Sequence, residues 1–150
     1  MKKIFLLGAL LAPFAIWGVA NTTPAESKPL PTTAYAYQVV SIYDGDTFYI
    51  NMPGLPPELQ RIGVRVRGVD TPEMRGKCAS ESANARAAKA FTTRVLRVAN
   101  NNVTLVGLKW DKYGGRVDAD VYVDGQLLSA MLITQGYARP YGGERRNGWC

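Results

Sequence analysis

The stretch Ile62 to Val69, IGVRVRGV, alternates valine with arginine, the mark of a strand with one face in an apolar core and the other in water. A helix would spread those arginines around its circumference instead. The natural partner of this strand is Thr47 to Met52 (TFYINM), which Asp44-Gly45-Asp46 joins to an earlier β-rich run, Tyr37 to Tyr43 (YQVVSIY). Asp-Gly between two such runs is a hairpin signal, with Gly45 expected to supply an unusual backbone angle. A loop carrying Pro53, Gly54, Pro56 and Pro57 separates the second and third strands.

After Asp70-Thr71-Pro72-Glu73 the period changes. Ala87, Phe91, Val95 and Val98 recur at helical spacing within Glu81 to Asn100, with Ser80 expected as the cap. Val103 to Leu108 and Asp118 to Val123 read as two more strands. Asp124-Gly125 then opens a tight turn into a short helix near Gln126 to Gln135, closed by Gly136. Three strands, a helix, two strands and a helix are the element order of an OB-fold, a five-stranded Greek-key barrel, here α+β and mainly β.

At 150 residues the chain has room for one core and not comfortably for two. It contains no histidine, which excludes Ser-His-Asp hydrolysis, histidine-bound zinc and histidine acid–base chemistry together. Lys2 and Lys3 precede an apolar run from Ile4 to Trp17, and Gly18-Val19-Ala20 supplies small residues for cleavage. Residues 1–20 therefore read as a secretory signal peptide, 21–35 as a flexible linker rich in Pro, Thr and Ser, and 36–150 as the folded domain. A secreted or periplasmic location is expected; an uncleaved leader would instead tether the protein to a membrane. The formal charge of +6 falls to +4 on losing residues 1–20, with 16 basic against 12 acidic residues remaining. That excess favours polyanionic partners, although scattered basic residues also serve simply as solvated surface.

Antiparallel pairing of the second and third strands brings Asp46 and Asp70 to one rim. Two carboxylates there repel unless a hard divalent cation with oxygen ligands sits between them, and the Thr71 carbonyl offers a third ligand. The plainer alternative is that Asp44, Asp46 and Asp70 are turn and loop residues bonded to nearby amides. Glu73, on a loop held by Pro72, is placed to activate a water, or is a solvated glutamate. Arg65 and Arg67 on the solvent face are either phosphate clamps or solubilising charges. Arg116 follows Asp111-Lys112-Tyr113-Gly114-Gly115, a loop suited to phosphate and base contacts. Arg65 and Asp70 are an odd number of residues apart, so a regular strand would separate them; a bulge at Gly68 or a turn at the strand end is needed to reunite them.

These residues resemble the thermonuclease family typified by staphylococcal nuclease. The likeness is carried by Asp44-Gly45-Asp46-Thr47, by Arg65 five places before Asp70-Thr71-Pro72-Glu73, and by Asp111-Lys112-Tyr113-Gly114 leading to Arg116. It runs from about Val39 to Ala138. The resemblance implies an OB barrel in which Asp46, Asp70 and the Thr71 carbonyl bind calcium, Arg65 and Arg116 neutralise the scissile phosphate, and Glu73 is the general base. It further implies that Lys112, Tyr113 and Tyr141 contact the nucleotide, and that DNA and RNA are cut with little sequence specificity to leave 3′-phosphates. Relative to the type member, Gly115 is an extra loop residue, and the sequence ends soon after Tyr141, where that member has a long final helix.

Cys78 and Cys150 are either one disulfide or two free thiols, and an oxidising compartment favours the bridge. The reading is a monomeric, calcium-dependent nuclease with no stable protein partner, magnesium substitution being left open. The alternative is a catalytically inactive OB-fold module that binds nucleic acid in the cell envelope. An oligosaccharide-binding barrel would leave the arginine and aspartate positions unexplained.

Overall fold

A computed structural model describes residues 33–150; the expected signal peptide and all but the last three residues of the expected linker lie outside the described residues. Ala34 and Tyr35 are strand rather than linker. They begin β1 (Ala34–Ile42) and pair with Val106 and Leu105 of β5 (Asn102–Trp110). Between these come β2 (Thr47–Asn51), β3 (Arg61–Val66), β4 (Val69–Asp70) and α1 (Ala79–Val98). After β5 follow β6 (Arg116–Val123), β7 (Gln126–Leu127), α2 (Leu128–Thr134) and β8 (Arg139–Pro140).

The sheet runs β3-β2-β1-β5-β6, and β6 returns to pair with β3, closing a five-stranded barrel. That closing pair is parallel and the other four are antiparallel, so the architecture is the expected OB-fold. Alternation fills the interior. Phe48 and Ile50, Val64 and Val66, Leu105, and Val117, Ala119 and Val121 point inward and are buried, each large aliphatic contributing roughly 1.5–3 kcal/mol of burial. Phe91 and Leu96 of α1 and Leu128 and Leu132 of α2 join the same cluster.

Four local expectations need correction. The third strand does not run through Val69: it stops at Val66, Arg67 and Gly68 turn with Gly68 at φ +82°, and β4 starts in a new direction, paired with β8. This is the redirection that the Arg65–Asp70 spacing demands. Gly45 has no left-handed backbone; it is required for space, because a Cβ there would lie 2.8 Å from Ala88 Cβ and 3.0 Å from Thr71 Cγ2. Ser80 is not the cap of α1, which begins two residues earlier with Cys78 at the N-cap position. Instead the buried Glu81 carboxylate reaches back and accepts from the Lys77 amide at 2.7 Å and the Glu73 amide at 3.4 Å, satisfying donors of the incoming loop. Finally, the second helix starts at Leu128, because Gln126 and Leu127 form a hairpin with Tyr122 and Val123 across the Asp124-Gly125 turn.

Candidate active site

Thr47 pairs with Arg65 across β2 and β3, which sets Asp46, the residue before β2, beside the end of β3. The Arg65 guanidinium spans two elements: Nη1 lies 3.0 Å from Asp46 Oδ1, and Nη2 donates to the Val69 carbonyl at 3.1 Å. Asp46 Oδ1 also accepts from the Thr47 hydroxyl at 2.9 Å, and Oδ2 accepts from the Thr71 amide at 3.2 Å. Asp46 and Thr71 are therefore adjacent, with Asp70 next in chain. The Asp44-Gly45-Asp46 loop is braced from below: the Thr92 hydroxyl donates to the Gly45 carbonyl at 2.6 Å, and the Asp46 amide to Asp44 Oδ1 at 3.0 Å. Asp44 does serve as a turn residue. Burial, with Asp46 and Glu73 adding negative charge nearby, pushes its carboxyl up to about 7.

The other side of the site comes from the end of the chain. The Asp70–Arg139 pairing of β4 with β8, and the Tyr141 amide bonded to the Gly68 carbonyl at 3.0 Å, start residues 141–150 at the rim. The Cys78–Cys150 disulfide fastens them at the far end, beside the start of α1. In between, the Trp149 indole N–H donates to Asp70 Oδ2 at 3.0 Å. The Arg139 guanidinium stacks 3.7 Å from the centre of the Trp149 ring. Arg146 places Nε 3.0 Å from Asp70 Oδ1 and Nη1 against Glu73 Oε1. Sequence reasoning missed Arg146, Trp149 and Glu81; the clues available were the Arg145-Arg146 pair and a tryptophan abutting the last cysteine.

Arg116 occupies a neighbouring groove of about 470 Å³, lined also by Tyr43, Thr47, Tyr49 and Tyr113. It stands opposite Gly63, the residue two before Arg65, in the parallel pair. Its Nε lies 2.8 Å from Asp111 Oδ2, which leaves the terminal fork of the guanidinium as the part available to an anion. Tyr113 is highly exposed, and the Lys112 ammonium lies 4.9 Å from its ring centre. Hydrogen bonding to Tyr113, with smaller contributions that include Tyr141, holds Lys112 above the usual lysine range. Tyr141 lines a gap of only about 30 Å³ beside Asp70 and Arg146. Asp46, Arg65, Asp70, Thr71, Glu73 and Tyr141 thus gather on one rim, with Arg116, Lys112 and Tyr113 along the neighbouring groove and its loop, whereas Arg67 joins neither. It pairs with Asp120 at 3.2 Å and donates to the Gly107 and Asp118 carbonyls, bracing the bulge in β5.

Does this rim suit a divalent cation? Asp70 Oδ1 is buried and accepts no hydrogen bond, because the nearby Arg146 N–H is not aimed at it. Asp44, Asp46 and Asp70 are all buried. Aspartate oxygens and backbone carbonyls are hard donors suited to calcium, so the residues present fit such an ion. A second convergence, Cys78, Glu81 and Cys150, does not, since both sulfurs are spent in the bridge. A larger hollow of about 640 Å³ lies on the outer face of α1 among Arg86, Lys89, Arg94 and Arg97; without carboxylates it lacks the acidic half of such chemistry.

A family model described as staphylococcal nuclease homologue matches residues 63–148, a span from β3 through the tail that includes Arg65, Asp70, Glu73 and Arg116. No curated protein matches the chain.

Proposed function

Because the chain belongs to the staphylococcal nuclease homologue family, whose domain is a nuclease or nucleic-acid-binding OB-fold, we propose that it is a secreted or periplasmic, calcium-dependent nuclease. It hydrolyses DNA and RNA with little sequence specificity and leaves 3′-phosphates. The observation that carries this reading is the convergence of Asp46, Asp70 and Glu73 with Arg65 on one rim, next to the groove that holds Arg116. A pure nucleic-acid binder needs cations and has no use for buried carboxylates facing a phosphate. Lys2, Lys3 and the apolar run after them, together with a disulfide, support an oxidising compartment.

In this reading Asp46, Asp70 and the Thr71 carbonyl would hold calcium. When bound, the ion supplies positive charge that neutralises the phosphate oxygens. Arg65 and Arg116 approach the phosphate from the barrel and groove sides, and their planar forks match its oxygens. Glu73, about half exposed, accepts the proton of the attacking water at a carboxylate oxygen as that water adds to phosphorus. The bond to the 5′ oxygen breaks, that oxygen takes a proton from solvent to leave as a 5′-hydroxyl, and the phosphate stays on the 3′ side. Guanidiniums fixed before the reaction stabilise the charge that builds up on phosphorus without reorganising. Lys112 and Tyr113 on the exposed loop, and Tyr141 at the rim, contact flanking nucleotides.

The test is cleavage of single-stranded DNA by the protein and by its Glu73→Gln variant, in calcium, magnesium or chelator. Cutting in calcium by the parent alone, and by neither protein in chelator, is expected. Binding without cleavage by both proteins would instead identify a nucleic-acid-binding module.

A further inference from the structure

Arg146 occupies an unusual place: its guanidinium bridges Asp70 and Glu73, the residues assigned above to metal and to water. We propose that Arg146 is a resident counter-ion of the site, which holds Asp70 and Glu73 together in the absence of a divalent cation and thereby sets how tightly the site takes one. This rests on the reading of Asp46 and Asp70 as calcium ligands.

Three observations carry it. First, the contact with Asp70 is one of charge and not of a directed bond: Nε is 3.0 Å from Oδ1, yet that oxygen accepts no hydrogen bond. Such an attraction yields to a ligand that coordinates the oxygen directly. Second, both groups that Arg146 pairs with are carboxylates, Asp70 and Glu73, whereas Arg139 and Arg145, which line the same gap, make no ion pair with either. Third, the segment is fastened at both ends, by the Tyr141 amide and β8 on one side and by Cys150 on the other. The guanidinium therefore competes at an effective concentration fixed by the fold. With a side chain 39% exposed and Tyr141's ring centre 5.7 Å from its guanidinium carbon, it has somewhere to go when displaced.

The decisive measurement is calorimetric titration of the nucleic-acid-free protein with calcium, alongside Arg146→Gln, Arg146→Lys and Arg145→Gln. Arg145 borders the same gap but makes no ion pair among the described residues. Arg146→Gln is expected to tighten calcium binding about three- to tenfold, the range for losing two partly exposed ion pairs. Arg146→Lys should fall between, and Arg145→Gln should stay within about twofold of the parent. Thermal melting in chelator should show every variant folded, with Arg146→Gln melting lower than the parent. Equal or weaker calcium affinity in Arg146→Gln, or equal tightening in Arg145→Gln, overturns the proposal while leaving the metal reading intact. A parent that takes up no calcium sinks both.

Discussion

The two halves of the rim are built by different means. On the barrel side, Asp46 and Arg65 are 2% and 13% exposed and are fixed by the β2–β3 ladder and by α1 beneath Gly45. On the tail side, Glu73 and Arg146 are 51% and 39% exposed: Glu73 sits on the loop after β4, and its partner Arg146 on a segment with little regular structure whose far end is tied down by one covalent bond. Ladder bonds and packed side chains share the work among many contacts, so one half tolerates small losses; the other concentrates it in the bridge. If that contrast is right, the two sides should respond differently to substitution.

The largest effect belongs to the bridge. Cys78→Ser with Cys150→Ser frees a closed loop of sequence separation 72 and should cost roughly 4 kcal/mol through the unfolded state, read as a lower urea midpoint, with the strand signal in circular dichroism retained. A midpoint equal to the parent's would show that the tail is held without it. Next comes Arg116→Ala, which should fold but lose about 10²–10³-fold in kcat on single-stranded DNA, the loss seen when one preorganised donor to a developing oxyanion is removed. Near-full turnover would remove Arg116 from the chemistry.

Third, Asp44 makes the barrel side sensitive to pH. Its carboxyl is raised from 3.8 to about 7 in the fold, so between those values the folded protein binds more protons than the unfolded one. Asp44's contribution to the stability of the chelated protein should accordingly fall as pH rises from about 4 to 7 and level off above that. Asp44→Asn should flatten this slope. Fourth, Gly45→Ala forces a methyl to within 2.8 Å of Ala88 Cβ and should cost about 2 kcal/mol in thermal melting, the range for overpacking. The smallest effect is expected of Trp149→Phe, which removes the indole donor to Asp70 Oδ2 and should cost about 1 kcal/mol. A larger loss than that of Gly45→Ala would reverse the ranking of the two sides.

The barrel half was legible in the sequence because its signals are local. Valine–arginine alternation placed Arg65 outward, the hairpin set Asp46 at the head of β2, and the odd spacing to Asp70 announced the turn that Gly68 makes. Gly45 was recognised as special for the wrong reason, since crowding by a helix more than 40 residues away leaves no trace in neighbouring residues. The same holds for Glu81, which the sequence marked only as the start of the helical stretch and which the loop before α1 bonds through its amides. Arg146 and Trp149 lie in YGGERRNGWC, which has neither strand nor helical period. The pairing of β4 with β8, which no local pattern encodes, and the Cys78–Cys150 bridge, which the two cysteines did suggest, bring them to Asp70.

The bridge has one more consequence. The exposed loop at residues 111–115 lies between Cys78 and Cys150 along the chain, so a protease cut there yields two fragments that remain covalently joined. Such a nicked molecule would run as intact on a gel until a thiol is added, when it would fall into two bands.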